Sequence, residues 1–286
     1  MRNNPHRFML LGVAVSLGFI VVGSLLSLEN LGLILLIIGA IVLLSMLSLL
    51  LFINLRKHLD LVLRHIQATT SAQSLAHLKI DIPTTFLTHA AAPDYIEIII
   101  ELMRRQKITN ILELGSGTTS LYVAAWLTRL GGKLTCLEEN TQWVELMQKE
   151  LDNITSETQA SVRVVHCPII LTQSGIEYFY DLSTHLTQPS EQAAIDAGSQ
   201  KQTTIKYDML ILDGPSDLSL RHHALQFLDT WLDKNVIVVV DDADRNEIKR
   251  ALPEWKKSEY VSRYFKTIKG TLVLWRQQRE NIISLP

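Results

Sequence analysis

A glycine-spaced turn in the middle of the chain has the residue types best suited to ligand binding. A short apolar strand is predicted at Asn110–Leu114, and Gly115-Ser116-Gly117 follows it directly before a helical pattern. Glycines let the backbone turn tightly and approach a ligand, and the helix start behind them offers unpaired N–H groups. Glu113, inside the strand, could accept from a ligand's amine or from the loop's own N–H groups. This arrangement predicts the start of an α/β nucleotide site, with Ser120 at the position of a third fingerprint glycine.

Polar side chains also lie at the C-terminal ends of the strands that are predicted downstream. Glu138 ends the second strand about 20 residues after the glycine turn, the spacing at which a carboxylate accepts hydrogen bonds from a ribose diol. His166 ends the third strand and is a candidate site residue. Asp213 and Asp241 each follow a buried apolar strand, where an unpartnered carboxylate is costly. The alternative is that Glu138 or Glu139 caps the next helix.

A divalent cation is one partner that these carboxylates could have. Asp213, Asp241 and Asp242 together offer the hard oxygen ligands that suit magnesium or calcium. The alternative is that Asp241, Asp242 and Asp244 cap the helix that follows them. The sequence leaves both interpretations open.

The elements that must position these residues alternate along the chain. Strands are predicted at 110–114, 133–137, 161–166, 207–212 and 235–240, helices at 94–106, 118–130, 141–151, 218–232 and 245–255, and two closing strands at 260–268 and 271–276. The uniformly apolar strands imply burial on both faces, which is typical of a parallel sheet. We therefore expect a Rossmann-like, doubly wound α/β sheet that is mostly parallel and ends in an antiparallel strand pair.

Two nearly uncharged apolar runs precede this domain, at residues 8–28 and 31–53. Each is long enough to span a hydrocarbon core. One helix through both would be about 70 Å long, more than twice the apolar thickness of a bilayer, so a hairpin turning at 27–30 is expected. Two arginines precede the first run, and Arg56 and Lys57 follow the second. The positive-inside rule then places both termini and the α/β domain in the cytoplasm.

The chain accordingly divides into three parts. Residues 1–58 form a transmembrane hairpin whose partner is the lipid bilayer, residues 59–90 a helical connector, and residues 91–286 the α/β domain. A polar patch at 69–74 is expected to interrupt the connector helix. The segment 181–206, rich in Gln, Ser, Thr and Ala, is expected to be a surface loop or partial lid.

The composition excludes two classes of protein. Of 27 Lys and Arg and 29 Asp and Glu, only four and one lie in the first 58 residues, which leaves the remainder with a net charge of −5. That sign opposes a nucleic-acid-binding surface. The two cysteines, Cys136 and Cys167, make no disulfide framework or metal-ligand pattern, and both are expected to be buried thiols in a reducing compartment.

Taken together, these residues resemble those of class I S-adenosylmethionine-dependent methyltransferases, in particular the bacterial group related to catechol O-methyltransferases. The resemblance covers about residues 88–276 and leaves out the membrane hairpin. It rests on the closing strand pair and on the stretches Ala91-Ala92-Pro93-Asp94, E-L-G-S-G at 113–117, Glu138, His166-Cys167-Pro168-Ile169, Phe179-Tyr180-Asp181, Leu212-Asp213-Gly214-Pro215 and Val240-Asp241-Asp242-Ala243.

The resemblance implies S-adenosylmethionine as the cofactor. The residues that it assigns to cofactor binding lie at the glycine turn and the strand ends: Glu113, Gly115, Ser116, Gly117, Glu138, His166, Cys167 and Asp213. Glu113 and the glycines would hold the methionine end, Glu138 the ribose, and His166 with Cys167 would flank the adenine.

The resemblance also bears on catalysis. Asp213, Asp241 and Asp242 fall where catechol-type enzymes hold magnesium. Those enzymes carry a lysine shortly after the first of these aspartates, and Gly214-Pro215-Ser216-Asp217 contains none. Asp213 or Asp241 could instead accept the acceptor's proton directly.

The expected function is therefore O-methylation of an unidentified small or membrane-proximal acceptor by a membrane-anchored enzyme. A NAD-dependent oxidoreductase is one alternative, because it would share the glycine turn and the acidic residue after it. The chain has no Tyr-x-x-x-Lys, which counts against the short-chain type. A non-catalytic, membrane-anchored cofactor-binding module is the other alternative.

Overall fold

The computed structural model describes residues 15–18, 20–22, 29–80, 82, 90–156, 158–171, 178–182 and 206–276. Contacts within the chain divide it into two compact units, Met1–Leu63 and Arg64–Pro286. Most of the first predicted span, residues 8–28, lies outside the described residues. Ser27 and Leu28 of the predicted turn are among these.

A long apolar helix, α1, occupies Glu29–Leu75. Within the described ranges it is the one helix whose length and composition would allow it to cross a membrane, a test that a signal sequence also passes. Large apolar side chains along it are exposed, among them Leu44 and Leu51. Because α1 already includes Glu29 and Asn30, the turn predicted at 27–30 does not contain these two residues.

Residues 15–18 and 20–22 are also helical, and they pack against α1 at Gly39. A Cβ atom at Gly39 would lie 2.8 Å from Ile20 Cγ1 and 3.2 Å from the Ser16 carbonyl oxygen. Ser16 is fully buried. The absence of a side chain at Gly39 therefore lets the two helical stretches approach closely.

The predicted interruption of the connector helix at 69–74 is wrong. The Thr69 and Thr70 hydroxyls donate to the carbonyls of His65 and Ile66 at 2.9 and 3.1 Å, one helical turn back. These bonds satisfy the hydroxyls inside the helix, so the polar patch need not break it. The helix ends only at Leu75, where a 3-10 turn follows.

The second unit is built on a seven-stranded sheet. Its helices are α2 (Pro93–Gln106), α3 (Thr118–Leu130), α4 (Thr141–Thr155), α5 (Ala224–Leu228) and α6 (Asn246–Lys257), with 3-10 turns at Ala76–Leu78, Leu218–His223 and Asp229–Trp231. Its strands are β1 (Asn110–Leu114), β2 (Gly132–Glu138), β3 (Ala160–His166), β4 (Ile169–Leu171), β5 (Tyr178–Tyr180), β6 (Tyr207–Leu212), β7 (Leu232–Val240), β8 (Tyr260–Phe265) and β9 (Thr271–Arg276).

The strand order is β3-β2-β1-β6-β7-β9-β8, and β9 alone runs opposite in direction to the other six strands. This confirms the predicted Rossmann-like α/β sheet, mostly parallel with an antiparallel pair at its C-terminal end. From β1 and β6 the chain order runs toward opposite edges of the sheet. Ligands of such sheets bind beside the carboxyl ends of the strands at this switch point.

The central strands are buried on both faces, as their apolar sequences predict. Ile111 packs in a cluster with residues of α2, α3 and α4, whereas Leu112 packs in the opposite cluster with residues of α5 and α6. Alternate residues of a strand point to opposite faces, so the position along each strand decides which helices a side chain meets.

The single helix predicted at 218–232 is instead α5 between two short 3-10 turns, and β7 already begins at Leu232. The buried Arg221 side chain is the physical reason. Its guanidinium donates to the carbonyls of Asp213 and Pro215, which ties this segment to the loop before it. Leu232 pairs with Tyr207 of β6 and is buried in the core, so the strand extends back to include it.

The hairpin of β4 and β5 was not predicted. The two strands pair antiparallel as a separate sheet of three residues each, too short for a periodic pattern. Of the predicted loop 181–206 only Asp181, Leu182 and Lys206 are described, so the rest of that prediction lies outside the described residues.

The contact at Gly39 predicts that an Ile20→Cys/Gly39→Cys variant of the full chain forms an intramolecular disulfide under mild oxidation. The two positions are close enough for a disulfide to bridge them, and the native Cys136 and Cys167 are buried. A shift of intact mass by two hydrogens measures the bond. Val22→Cys with Gly39→Cys is the control, because residues two apart on a helix point in different directions. Equal cross-linking of both pairs would contradict the contact.

Candidate ligand site at the carboxyl edge of the sheet

The glycine turn after β1 is held against the end of β6. Gly115 has φ +86°, a conformation that favours glycine, and a Cβ there would lie 3.0 Å from the Gly214 nitrogen. Its own N–H donates to the Leu137 carbonyl of β2 at 2.8 Å. Gly117 is the N-cap residue of α3. The turn is thus fixed between two neighbouring strands, at the switch point of the sheet.

Ser120, at the position of the third fingerprint glycine, connects the turn to Glu113. Its Oγ accepts from the Gly117 N–H at 3.0 Å and donates to Glu113 Oε2 at 2.7 Å. Cys136 Sγ donates to the same carboxylate oxygen at 3.3 Å. Glu113 therefore orders the turn through Ser120, and the Gly117 N–H already has a partner within the protein.

Glu138 joins the end of β2 to the glycine turn. Its Oε2 accepts from Ser116 Oγ at 2.8 Å and its Oε1 from the Asn140 N–H at 3.0 Å. Burial raises the pKa of Glu138. The alternative that Glu138 caps α4 is wrong, because the Asn140 side chain accepts from the N–H groups of Gln142 and Trp143.

Three carboxylates belong to one face of the sheet. Side chains along a strand alternate between the two faces of the sheet, so Glu113 lies on the face opposite Leu112, which is the face that packs against α2. Asp213 and Asp241 directly follow β6 and β7, and their positions place them on the same face. Leu212 pairs with Val240, so Asp213 and Asp241 are neighbours. Burial raises the pKa of Glu113 to about 8 and that of Asp241 to about 7, and it also raises the pKa of Asp213.

Several buried polar atoms at this edge have no hydrogen-bond partner among the described residues. They are Glu113 Oε1, both carboxylate oxygens of Asp241, the hydroxyls of Tyr95 and Tyr180, and Arg221 Nη1. Burial raises the pKa of Tyr95, and Asp213, Asp241 and Glu113 raise it further. Buried polar groups are normally satisfied, so a group of unsatisfied ones at a strand-end crevice indicates a ligand position.

Two cations that the sequence did not single out face these carboxylates. Arg221 Nη1 lies 3.9 Å from Asp242 Oδ2, and Lys269 Nζ lies 3.7 Å from Asp241 Oδ2. Arg221 comes from the segment after β6, and Lys269 from the turn between β8 and β9. Neither position carries a local motif, and only the fold brings them here.

The predicted magnesium site at Asp213, Asp241 and Asp242 is not formed. Among the described residues, no group of three or more His, Cys, Asp or Glu side chains is placed to hold a metal ion. Asp241 faces Lys269, and Asp242 faces Arg221 and, at 3.8 Å, Arg245. With cations beside them, these carboxylates do not fit a metal centre.

The capping role considered for Asp241, Asp242 and Asp244 is also wrong. Arg245 is the N-cap residue of α6 and its side chain makes no capping hydrogen bond, and no hydrogen bond among the described residues joins these three aspartates to the first N–H groups of α6. Asp244 instead pairs with Arg64 at 2.7 Å.

His166 and Cys167 lie beside Glu138. His166 Nε2 is 3.1 Å from Thr141 Oγ1, and the Cys167 N–H donates to the Glu138 carbonyl at 2.8 Å. Burial raises the pKa of Cys167 to about 12, so its thiol stays neutral. Both cysteines are free and buried, in agreement with the sequence.

Comparison with known proteins gives structural neighbours only. No family model matches the chain, and no curated protein matches it. The O-methyltransferase of Bacillus cereus, solved in complex with SAH (S-adenosylhomocysteine), is 14% identical over 74% of this chain and 90% of its own, with a TM-score of 0.43. An SAH-bound methyltransferase of Podospora anserina is 12% identical over 73% of this chain and 96% of its own, with a TM-score of 0.44. A methyltransferase of Geobacter sulfurreducens is 14% identical over 73% of this chain and 87% of its own, with a TM-score of 0.41.

These neighbours are methyltransferases, the class that the sequence resembles. Identities and TM-scores of this size say nothing about what this chain binds or transfers. The chemistry of its own strand ends has to decide that.

Replacement of Glu113 by Gln should flatten the dependence of stability on pH. The folded-state pKa of about 8 lies above the ordinary value of 4.5, so the folded chain loses stability as pH rises from about 5 to 8. In Glu113→Gln we expect this pH-dependent loss of folding free energy, about a few kcal/mol at most, to be absent. Melting temperatures at pH 6 and pH 8.5 measure it. Glu145→Gln, an exposed carboxylate of α4, is the control, and an unchanged slope in Glu113→Gln would contradict the assignment.

Proposed function

We propose that the chain is an S-adenosylmethionine-dependent methyltransferase. One observation carries this proposal: carboxylates follow or end three neighbouring strands at the edge of the sheet that carries the glycine turn, and two of them, Glu113 and Asp241, are fully buried with unpartnered oxygens. S-adenosylmethionine carries a positive sulfonium and an ammonium group. Positive charge at this edge would stabilise the ionised carboxylates, and those carboxylates would attract the ligand.

The residues of the site divide among the parts of the cofactor. In the proposal, Glu113 and the turn at 115–117 bind the methionine end, and Glu138 binds the ribose, exchanging its bond from Ser116 for bonds from ribose hydroxyls. His166 and Cys167 flank the adenine. The bound cofactor would supply an activated methyl group.

Asp213 and Asp241 are the proposed proton acceptors. Both lie at strand ends on the face of α2, and the Asp241 carboxylate has no hydrogen-bond partner in the described part of the chain. Proton transfer in this proposal is direct, because Asp241 and Asp242 each face a cation. Positioning of the acceptor oxygen in line with the methyl group would supply much of the rate.

The charge of the site disfavours a NAD-dependent oxidoreductase. A dinucleotide pyrophosphate is held by free N–H groups at a helix start. Here the Gly117 N–H is bonded to Ser120, and the Ser116 carbonyl accepts from Trp143 Nε1 at 2.8 Å. A negative pyrophosphate would favour the protonated forms of Glu113 and Asp241 still further, whereas the positive charge of S-adenosylmethionine would favour their ionised forms. A non-catalytic cofactor-binding module would share all of these features, so experiment has to separate it.

We further propose that the enzyme is anchored in a membrane. The long apolar helix α1 and the contact of residues 16 and 20 with Gly39 support a transmembrane hairpin within residues 8–53. The flanking arginines and lysine would place both termini and the methyltransferase domain, residues 91–286, in the cytoplasm, with residues 59–90 as connector. The proposed acceptor is a small or membrane-proximal molecule with a nucleophilic oxygen.

Calorimetry on the full chain in detergent tests the cofactor. We expect binding of S-adenosylmethionine and SAH, and a loss of affinity of about tenfold or more in Glu138→Ala, because the ribose loses its acceptor. Glu145→Ala is the matched control on the neighbouring helix. If a folded chain binds neither ligand, the methyltransferase proposal fails. Binding of NAD(H) would then favour the oxidoreductase.

Two glycines at the site should respond differently to alanine. No described atom lies within 4 Å of a Cβ at Gly117, so Gly117→Ala should keep the melting temperature and weaken cofactor binding about tenfold, because the ligand approaches there. At Gly214 a Cβ would lie 2.6 Å from the Gly115 nitrogen and 2.7 Å from the Tyr180 hydroxyl. Gly214→Ala should therefore cost about 1–3 kcal/mol of stability.

Thermal unfolding and calorimetry separate the two effects. Full cofactor affinity in Gly117→Ala would place the ligand elsewhere on the domain. An unchanged melting temperature in Gly214→Ala would show that the turn and the β6 end do not touch as described.

A further inference from the structure

Arg64, on the helix that carries the apolar run, lies at the centre of a hydrogen-bonded cluster in the second unit. Its Nη1 donates to Asp244 Oδ2 at 2.7 Å, to the Thr267 carbonyl at 2.8 Å and to the Ile268 carbonyl at 3.3 Å. The side chain is only 17% exposed. One nitrogen therefore links the loop after β7 to residues 266–270, which we call the β8–β9 turn.

The β8–β9 turn is also hydrogen-bonded to the loop after β7 and to the start of α2, and Ile268 packs against the core. The Ala243 and Asp244 N–H groups donate to the Gly270 and Lys269 carbonyls at 2.9 and 3.1 Å. The Ile268 N–H donates to Asp94 Oδ2, at the start of α2, at 2.8 Å. Arg64 adds the only charged side-chain donor that the described contacts give to the turn's carbonyls.

The turn presents a cation to the candidate site. Lys269 Nζ lies 3.7 Å from Asp241 Oδ2, and Asp241 is fully buried. Asp213 and Asp242 also raise the pKa of Asp241, and Asp241 in turn raises the pKa of Tyr95. Lys269 is the one cation within 4 Å of Asp241 among the described residues, so the position of the turn sets how much negative charge the site presents.

We propose that Arg64 is a positioning residue, which fixes the β8–β9 turn and thereby holds Lys269 against Asp241. The end of α1 from Arg64 to Leu75 is then part of the framework of the site, and a shift of Arg64 changes the charge beside Asp241. The consequence for ligand choice rests on the proposed function, whereas the consequence for the turn does not.

Hydrogen exchange of the full chain in detergent tests the fixing of the turn. Arg64→Met should speed exchange about tenfold at the Ile268, Gly270 and Asp244 amides, because the charge-assisted bonds that order them are lost. Arg64→Lys should restore part of the protection, since an ammonium group can donate to the same acceptors. The control is Arg104→Met, whose guanidinium pairs with Glu101 on its own helix.

Ligand selectivity tests the effect on Asp241. With Lys269 displaced, the site is more negative, so the preference for cationic S-adenosylmethionine over neutral SAH should rise several-fold in Arg64→Met, as in Lys269→Met. The preference of the Arg64→Met/Lys269→Met double variant for S-adenosylmethionine over SAH should be only slightly higher than that of Lys269→Met, because both substitutions act through the same cation.

Three results would overturn the proposal. Unchanged exchange at the β8–β9 turn in Arg64→Met would show that the turn is held without Arg64. Additive effects on selectivity would show that Arg64 does not act through Lys269. Uniformly faster exchange across the whole domain, in Arg64→Lys as well as Arg64→Met, would mean a general structural role. If the wild type binds neither ligand, the proposed function fails while the exchange result still decides the role of Arg64.

Discussion

The carboxylates at the ends of three adjacent strands, of which Glu113 and Asp241 are fully buried, are the constraint on which the rest of the site depends. A buried carboxylate is costly unless it is protonated, hydrogen-bonded or paired with a cation. Glu113 accepts two hydrogen bonds and has a pKa raised to about 8, whereas Asp241 faces Lys269 and the Asp213 backbone is tied to Arg221. The turn after β1, the segment after β6 and the β8–β9 turn are all arranged around these charges.

The same constraint separates two ligand classes that share a glycine turn. A turn that binds pyrophosphate needs free N–H groups and no negative charge close by. In this chain Ser120 Oγ accepts from the Gly117 N–H and donates to Glu113. A serine at the third fingerprint position therefore orders the turn from within and links it to a buried carboxylate.

Much of the fold could be predicted from the sequence, because uniformly apolar strands that alternate with amphipathic helices leave few arrangements. The strand-end positions of Glu138, Asp213 and Asp241 followed from that pattern. The partners of these residues could not be predicted, since Arg221 and Lys269 come from segments with no local signal and meet the acids only in the folded chain. The expected magnesium site failed for the same reason: spacing shows which carboxylates share an edge, but not which cations are already there.

The helix α1 shows that a division of the chain based on composition alone can miss hydrogen bonds between the segments that it separates. The first part of α1 is apolar, and the composition predicts that the residues after it form a connector. Yet Arg64 of that connector bonds to Asp244 and to two carbonyls of the β8–β9 turn, and that turn carries Lys269. An arginine in such a position is 17% exposed and serves three acceptors, which is a role that a mere spacer does not require. Under the proposed role of Arg64, the connector contributes to the electrostatics of the site indirectly, through the position of Lys269.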